Sequence, residues 1–194
     1  FSDITVLHAA IQKQNTMSIH GPMAAAFNKG AEGAIYIQSL KNILLGEDEV
    51  IQVAAHSFNK QGTVTANLIG GNLCMIAHLI GSKNAMNTKG KILFIEDISE
   101  HYYQLDRILF TLKKAGVFEA IKGLVIGGMT DIQDTEVPFG MSIEEIVLQH
   151  FKFRKIPLGF DFPVGHISDN QALIVGANVQ LTVDEKGSQL SYIN

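Results

Sequence analysis

Apolar and polar residues follow one another along this chain in the two periodicities that distinguish strands from helices. Short apolar or alternating runs predict strands at residues 17–20, 50–55, 63–68, 91–95, 123–127 and 158–162. Apolar residues that recur three and four positions apart predict helices over residues 3–14, 33–44, 73–80, 99–115 and 142–151. The tail from Ala172 to Ile193 alternates on both sides of Glu185-Lys186-Gly187, a pattern typical of a hairpin. Strands therefore alternate with helices up to a final hairpin, which predicts the α/β class with an antiparallel finish.

A domain boundary is expected near residues 56–62. The part before it holds isolated strands and too few apolar elements to bury a core of its own, whereas the part after it holds at least four strands and three helices. We therefore predict that residues 1–55 are the tail of one domain and that residues 62–194 form a second, complete domain. Apolar side chains such as Ile4, Leu7 and Ile11 would then be covered by chain from outside this segment.

The composition excludes several classes of protein. Of the 194 residues 46% are hydrophobic and 18% charged, which is typical of a globular protein. The net charge of −4 argues against a nucleic-acid partner, and no apolar run approaches the roughly 20 residues that span a bilayer. The single cysteine, Cys74, excludes an internal disulfide and fits a reducing compartment. We therefore expect no nucleic acid, no membrane, and a cytoplasmic location.

Two apolar runs each end in an ionisable residue. Ile92-Leu93-Phe94-Ile95 leads into Glu96, and a run that closes on Gly165 leads into His166. α/β enzymes place acid–base pairs where strands end, so we predict that Glu96 is partly desolvated and orients His166. The alternatives of a solvated strand end or helix cap for Glu96, and of a surface or core histidine, stay open. No two histidines lie four apart on a helix with a glutamate between them, so we expect no metal and no cofactor.

A glycine pair followed by an asparagine opens a predicted helix directly after a strand. The backbone amides of Gly70-Gly71-Asn72 could hold an anion or a carboxylate, so Gly71 and Asn72 are candidate substrate-binding residues. A tight turn with an asparagine cap is the alternative. The pattern is not G-x-G-x-x-G, and no dinucleotide site is predicted.

Taken together, the motifs resemble the LD-carboxypeptidase family of serine peptidases, which includes the microcin C self-immunity hydrolases. The matching pieces occur in the family's order and span nearly the whole chain: Phe1-Ser2-Asp3-Ile4-Thr5, Ile19-His20-Gly21-Pro22-Met23, Gly70-Gly71-Asn72-Leu73, Leu93-Phe94-Ile95-Glu96-Asp97 with Tyr103 and Arg107, and Gly165-His166 with Asn170. The resemblance implies the remnant of an N-terminal Rossmann-like domain, then a C-terminal swivelling-type β/α domain that ends in a hairpin. It implies the roles of triad glutamate for Glu96 and triad histidine for His166.

The activity that this resemblance implies is removal of the terminal D-amino acid from peptidoglycan-derived tetrapeptides, without a metal. A muropeptide or small peptide is then the expected partner, and a homodimer is a further expectation. The family's serine is expected upstream of Phe1, so Ser2 is not assigned as nucleophile and the chain alone is expected to be inactive. Two alternatives stay open: hydrolysis of an acyl-sulfamoyl adenylate, as in the microcin branch, and a non-catalytic α/β binding module.

Overall fold

A mixed seven-stranded sheet forms the centre of the computed structural model, which describes residues 1–28, 30–47 and 50–193. The helices are α1 (Thr5–Gln12), α2 (Ala31–Leu45), α3 (Leu73–His78), α4 (Tyr102–Lys114) and α5 (Ile143–Phe151), with short 3₁₀ turns at Ser2–Ile4 and Ala24–Asn28. The strands are β1 (Ser18–His20), β2 (Val50–Ala54), β3 (Gly62–Asn72), β4 (Ile92–Ile98), β5 (Gly123–Thr130), β6 (Leu158–Gly159), β7 (Leu173–Val175), β8 (Asn178–Asp184) and β9 (Gly187–Tyr192).

The order of strands in the large sheet is β2-β9-β8-β3-β4-β5-β6. Strands β3 to β6 run parallel to one another, whereas β2, β9 and β8 pair antiparallel. The long strand β3 joins the two halves, because its first part pairs antiparallel with β8 and its last part pairs parallel with β4. The predicted α/β class is confirmed, and the carboxyl ends of β3, β4 and β5 lie at one edge of the sheet.

Alternation along β4 divides its side chains between two cores. Leu93 and Ile95 are fully buried against residues of α3, α4 and α5 on one face. Ile92 and Phe94 are equally buried on the other face, in a core that includes residues of β7, β8 and β9. Glu96 follows the same alternation as Ile92 and Phe94, so its carboxylate lies on the face away from the three helices.

The capping pattern predicted for α5 is present. The Ser142 side chain accepts a hydrogen bond from the Glu145 backbone nitrogen at 3.3 Å, and the Glu145 carboxylate accepts one from the Ser142 nitrogen at 2.8 Å. This reciprocal arrangement satisfies two amides that the first turn would otherwise leave unpaired. Asp106 on α4 then accepts hydrogen bonds from the Gln149 side chain at 2.7 Å and from His150 at 3.0 Å, which joins α4 to α5.

Two stretches differ from the predicted strands: the run at 158–162 and the part of the C-terminal tail before the hairpin. The run at 158–162 contributes only Leu158–Gly159 to the sheet, because Asp161 has a φ of +62° and turns the chain away. The hairpin around Glu185-Lys186 is confirmed as β8 and β9. The chain before it breaks at Gly176 (φ +96°), so β7 leaves the hairpin and pairs with β1 instead.

The division of the chain near residues 56–62 stays a prediction. Strand β2, from the first segment, pairs with β9 at the edge of the large sheet, and β1 pairs with β7. Three apolar side chains at the start of the chain are exposed: 47% of Ile4, at the end of the first 3₁₀ turn, and 54% of Leu7 and 36% of Ile11 on α1. Both segments of the proposed division therefore contribute strands to shared sheets.

Candidate active site

Glu96 and His166 meet where β4 ends. His166 Nδ1 lies 2.7 Å from Glu96 Oε2, within the roughly 2.6–3.2 Å of a hydrogen bond. The Glu96 side chain is fully buried, and 16% of the His166 side chain is exposed. Because the carboxylate accepts the Nδ1 hydrogen bond, Nε2 is the ring atom left to take or give a proton.

The loop that carries His166 is fixed by neighbours on both sides. The Gly165 backbone nitrogen donates to Asn170 Oδ1 at 2.8 Å, and the Thr130 hydroxyl donates to the His166 carbonyl at 2.8 Å. Asn170 is 3% exposed, so its link to Gly165 lies out of water. Asn170 belongs to the motif that carried the resemblance, and its contact explains why an asparagine stands there.

Thr130 helps to place His166, although no motif in the sequence pointed to it. Thr130 is the last residue of β5, the strand next to β4 in the sheet. The sequence pattern that identified Glu96 could also have identified Thr130. Each is a polar residue at the end of a buried apolar strand, on the edge of the sheet where neighbouring strands also end.

The Glu96 carboxylate is only partly satisfied. Its Oε1 is buried and has no hydrogen-bond partner within the described residues, whereas Oε2 is bonded to His166. A buried, half-satisfied carboxylate destabilises a fold unless a positive charge forms beside it. Among the described residues, His166 is therefore the hydrogen-bond partner of the Glu96 carboxylate, through Oε2 alone.

The Gly71–Asn72 segment lies at the end of β3, next to Glu96 in register. Asn72 Oδ1 accepts from the Met75 nitrogen at 3.0 Å and so caps α3, which is the alternative that the sequence left open. Its Nδ2 donates to Asp97 Oδ1 at 2.9 Å, and its backbone nitrogen donates to the Thr5 hydroxyl at 3.0 Å. These bonds tie α1, α3 and β4 together, and the predicted substrate-binding role of the two residues stays a prediction.

Asp97 faces away from Glu96, toward the start of α3. Its carboxylate accepts from the Cys74 nitrogen at 3.1 Å as well as from Asn72. Burial raises the pKa of Asp97 to about 6. Burial, with Asp97 close by, raises the pKa of the Cys74 thiol to about 11, so this thiol is protonated at neutral pH and is a poor nucleophile.

Phe1 lies beside the Glu96–His166 pair, and Ser2 follows it into the first turn of the chain. The ring of Phe1 packs edge-to-face on the His166 imidazole, with centroids 4.7 Å apart. Ser2 has a φ of +62° and begins the 3₁₀ turn that leads into α1. Among the residues that the structure describes, no hydroxyl or thiol side chain hydrogen-bonds to the imidazole of His166, whose ring is bonded to Glu96. The geometry therefore shows a histidine ring that is oriented by a buried carboxylate.

No metal-binding cluster of three or more His, Cys, Asp or Glu side chains occurs in residues 1–28, 30–47 and 50–193. Whether the protein works without a metal or cofactor stays a prediction. Across the same residues, none of the helices has the length and apolar character needed to cross a membrane.

The fold and the pair define an α/β protein with a histidine oriented by a buried carboxylate. The chain belongs to the LD-carboxypeptidase family, since residues 65–181 match the LD-carboxypeptidase C-terminal domain. Glu96 and His166 both lie within the matched stretch, which confirms the resemblance drawn from the motifs.

Solved and curated relatives agree with this assignment. The chain is 31% identical over 190 residues to the murein tetrapeptide carboxypeptidase of Pseudomonas aeruginosa, covering 93% of the chain and 61% of that protein. It superposes on the muramoyltetrapeptide carboxypeptidase of Oxalobacter formigenes with a TM-score of 0.91 and 28% identity, covering all of the chain and 66% of the other. The microcin C7 self-immunity protein shares the fold, at a TM-score of 0.83 and 20% identity. The chain thus spans somewhat less than two thirds of the length of these proteins.

Proposed function

We propose that this chain is part of a serine-type hydrolase that removes the terminal D-amino acid from peptidoglycan-derived tetrapeptides. The observation that carries the proposal is the 2.7 Å hydrogen bond between the fully buried Glu96 carboxylate and His166 Nδ1. The family assignment and the activities named for the Pseudomonas and Oxalobacter relatives support the substrate class.

In the proposed reaction, His166 Nε2 takes the proton of the nucleophilic hydroxyl as that oxygen attacks the amide carbonyl. The same nitrogen then gives the proton to the leaving amine, and water repeats the cycle on the acyl-enzyme. Glu96 holds Nδ1 protonated and stabilises the transient imidazolium. Its burial strengthens this interaction, because water does not screen it.

We propose that the nucleophilic serine lies outside residues 1–194, in the part of the family's length that this chain does not span. Two observations support this. No described hydroxyl or thiol is bonded to the His166 ring, and the one thiol, of Cys74, has a raised pKa. His166 Nε2 would then meet the serine across the contact between this chain and the preceding part of the protein.

Finer features of the assignment are also proposals. We infer that residues 1–55 are the remnant of an N-terminal Rossmann-like domain and that residues 62–194 form a C-terminal swivelling-type β/α domain. We also infer that the enzyme is cytoplasmic, serves peptidoglycan recycling and forms a homodimer. We also propose that Gly71 and Asn72 lie beside the substrate at the end of β3, where Asn72 bonds to Met75 and Asp97 through its side chain and to Thr5 through its backbone nitrogen.

The decisive experiment compares serine variants of the complete gene product on a tetrapeptide that ends in an L-residue–D-Ala bond. One serine-to-alanine variant outside residues 1–194 should lower kcat by about 10³-fold or more, as His166→Ala should. Ser2→Ala is the matched control within the chain and should keep kcat within about threefold of the wild type. A loss of about 10³-fold in Ser2→Ala would instead place the nucleophile at the start of this chain.

A second assay separates the two hydrolase branches. An aminoacyl-sulfamoyl adenosine offered in parallel should be cleaved more slowly than the tetrapeptide. Hydrolysis of that compound alone would assign the microcin-type activity. No hydrolysis of either compound by the complete gene product would support the binding-module alternative.

A further inference from the structure

His20 is a fully buried histidine near the proposed active site that the proposed chemistry does not use. It ends β1, where it pairs with Leu173 of β7, and it is 0% exposed. The next residue, Gly21, offers its carbonyl to the Phe1 nitrogen at 3.4 Å. His20 therefore lies where the chain anchors the segment that begins with Phe1.

Neither ring nitrogen of His20 has a hydrogen-bond partner within the described part of the chain. Buried polar atoms without partners destabilise a fold, and in native proteins most are satisfied. Hydrogen bonding within the described residues therefore does not explain why a buried histidine occupies this position. The ring instead makes aromatic contacts. Its centroid lies 5.1 Å from that of Phe94, edge-to-face, 5.9 Å from that of His8 and 6.1 Å from that of Phe1.

The Phe1 ring connects His20 to the catalytic pair. It contacts His20 on one side and packs edge-to-face on His166 at 4.7 Å on the other. Phe94, another aromatic neighbour of His20, lies two residues before Glu96 on the same face of β4. The ring of His20 thus contacts both the ring that packs on His166 and the strand that bears Glu96.

We propose that His20 is a positioning residue: its buried ring holds the Phe1 side chain against the imidazole of His166 and so fixes the direction in which Nε2 points. The inference rests on the proposed function, in which Nε2 is the atom that transfers the proton. His20 acts through Phe1 and takes no part in proton transfer.

The charge state of the surrounding histidines is consistent with this role. Burial lowers the pKa of His20 well below its ordinary value, and it lowers the pKa of neighbouring His8 to about 4. Both rings are therefore neutral at neutral pH. A neutral His20 leaves the proton of the catalytic cycle to His166, whose imidazolium is stabilised by Glu96.

Three substitutions at position 20 distinguish the contribution of the aromatic ring from that of its polar nitrogens. In the complete gene product, His20→Ala and His20→Gln should each lower kcat by about 100-fold with little change in KM, the size of effect expected from a misplacement of about 1 Å. His20→Phe keeps an aromatic ring and should retain most of kcat. Rescue by glutamine and not by phenylalanine would overturn the proposal, because it would show that polarity is what matters.

Coupling between His20 and Phe1 gives a second test. Phe1→Ala should match His20→Ala in kcat, and the double variant should be no worse than either single variant, since both act through one contact. Additive losses in the double variant would overturn the proposal. His150→Ala is the control: His150 is also buried, at 8% exposed, but it joins α4 to α5, so it should lower Tm and leave kcat unchanged.

Proton NMR of His166 separates this inference from the proposed function. The edge-to-face Phe1 ring should shift the imidazole signals of His166, and that ring-current shift should be lost in His20→Ala. If the shift is lost but the wild type hydrolyses no tetrapeptide, the positioning role stands and the proposed function fails. If the wild type is active while His20→Ala keeps both the shift and kcat, the positioning role fails.

Discussion

Gly165 lies so close to Glu96 that a β-carbon at position 165 would be 2.6 Å from the β-carbon, the γ-carbon and Oε2 of Glu96. Its φ of +106° is also one that other residues rarely adopt. The glycine therefore serves two purposes: it turns the chain into His166, and it leaves room for the buried carboxylate that His166 contacts. The sequence signal of a glycine before the histidine has this physical origin.

Gly165→Ala should separate the catalytic pair. The new methyl group must displace Glu96 or the loop, so we expect a loss of roughly 2–4 kcal/mol in the free energy of unfolding and a fall in kcat of about 100-fold. Urea denaturation and tetrapeptide kinetics measure the two effects. Gly140→Ala is the matched control, because Gly140 has a φ of +80° but no neighbouring atom within 4 Å of the position that the new methyl group would occupy. It should cost about 1 kcal/mol and leave kcat unchanged.

Glu96→Gln and His166→Ala should each lower kcat by about 10³–10⁴-fold in the complete gene product, and the double variant should lose little more, since the members of a triad act as a unit. Asp97→Ala should cost much less, because Asp97 faces α3 rather than His166. Steady-state kinetics on the tetrapeptide compare the four variants. Full activity of His166→Ala would refute the proposed mechanism.

The contact between Glu96 and His166 could be predicted because its signals are local. Glu96 ends a run of apolar residues whose alternation sets its face, and His166 follows a glycine after another such run. The cap of α5 is equally local, since Ser142 and Glu145 are three residues apart. Such features depend on neighbouring residues and on strand periodicity, which the sequence contains directly.

The remaining features depend on contacts between distant parts of the chain. The pairing of β1 with β7 joins Ser18 to Val175, and no local pattern specifies it. The same is true of the link between the Asn72 side chain and Asp97, which follows from how α3 meets β4, whereas the cap that Asn72 makes on α3 is local. The packing of Phe1 on His166 is likewise a tertiary contact, between residues at opposite ends of the chain.

Asn72→Ala should destabilise the protein by more than the loss of a helix cap alone. The cap of α3 contributes about 1 kcal/mol, and the lost bond to the buried Asp97 carboxylate brings the expected total to roughly 1–3 kcal/mol. Because that bond lowers the pKa of Asp97, the pKa should rise further in the variant. Ser142→Ala, which removes only the cap of α5, is the control for urea denaturation. Equal losses in the two variants would show that the link to Asp97 contributes nothing.

Asp97→Asn should change how stability depends on pH. The carboxyl releases its proton near pH 3.8 when unfolded and, because burial raises its pKa, near pH 6 when folded. Between these values the folded state binds more protons than the unfolded state, so rising pH destabilises the wild type through this group. The resulting loss in the free energy of unfolding is absent below about pH 4 and complete above about pH 6, where it reaches roughly 3 kcal/mol.

The measurement is the difference in unfolding free energy between Asp97→Asn and the wild type, obtained by urea denaturation of residues 1–194 from pH 4 to 7. Asparagine does not titrate and keeps one oxygen acceptor, so the difference should move in favour of the variant by roughly 3 kcal/mol as pH rises. Asp169→Asn, at an exposed position, controls for the change in net charge. A difference that is flat across this range would mean that Asp97 does not bind its proton more tightly in the folded state, and that its contacts with Asn72 and Cys74 offset its burial.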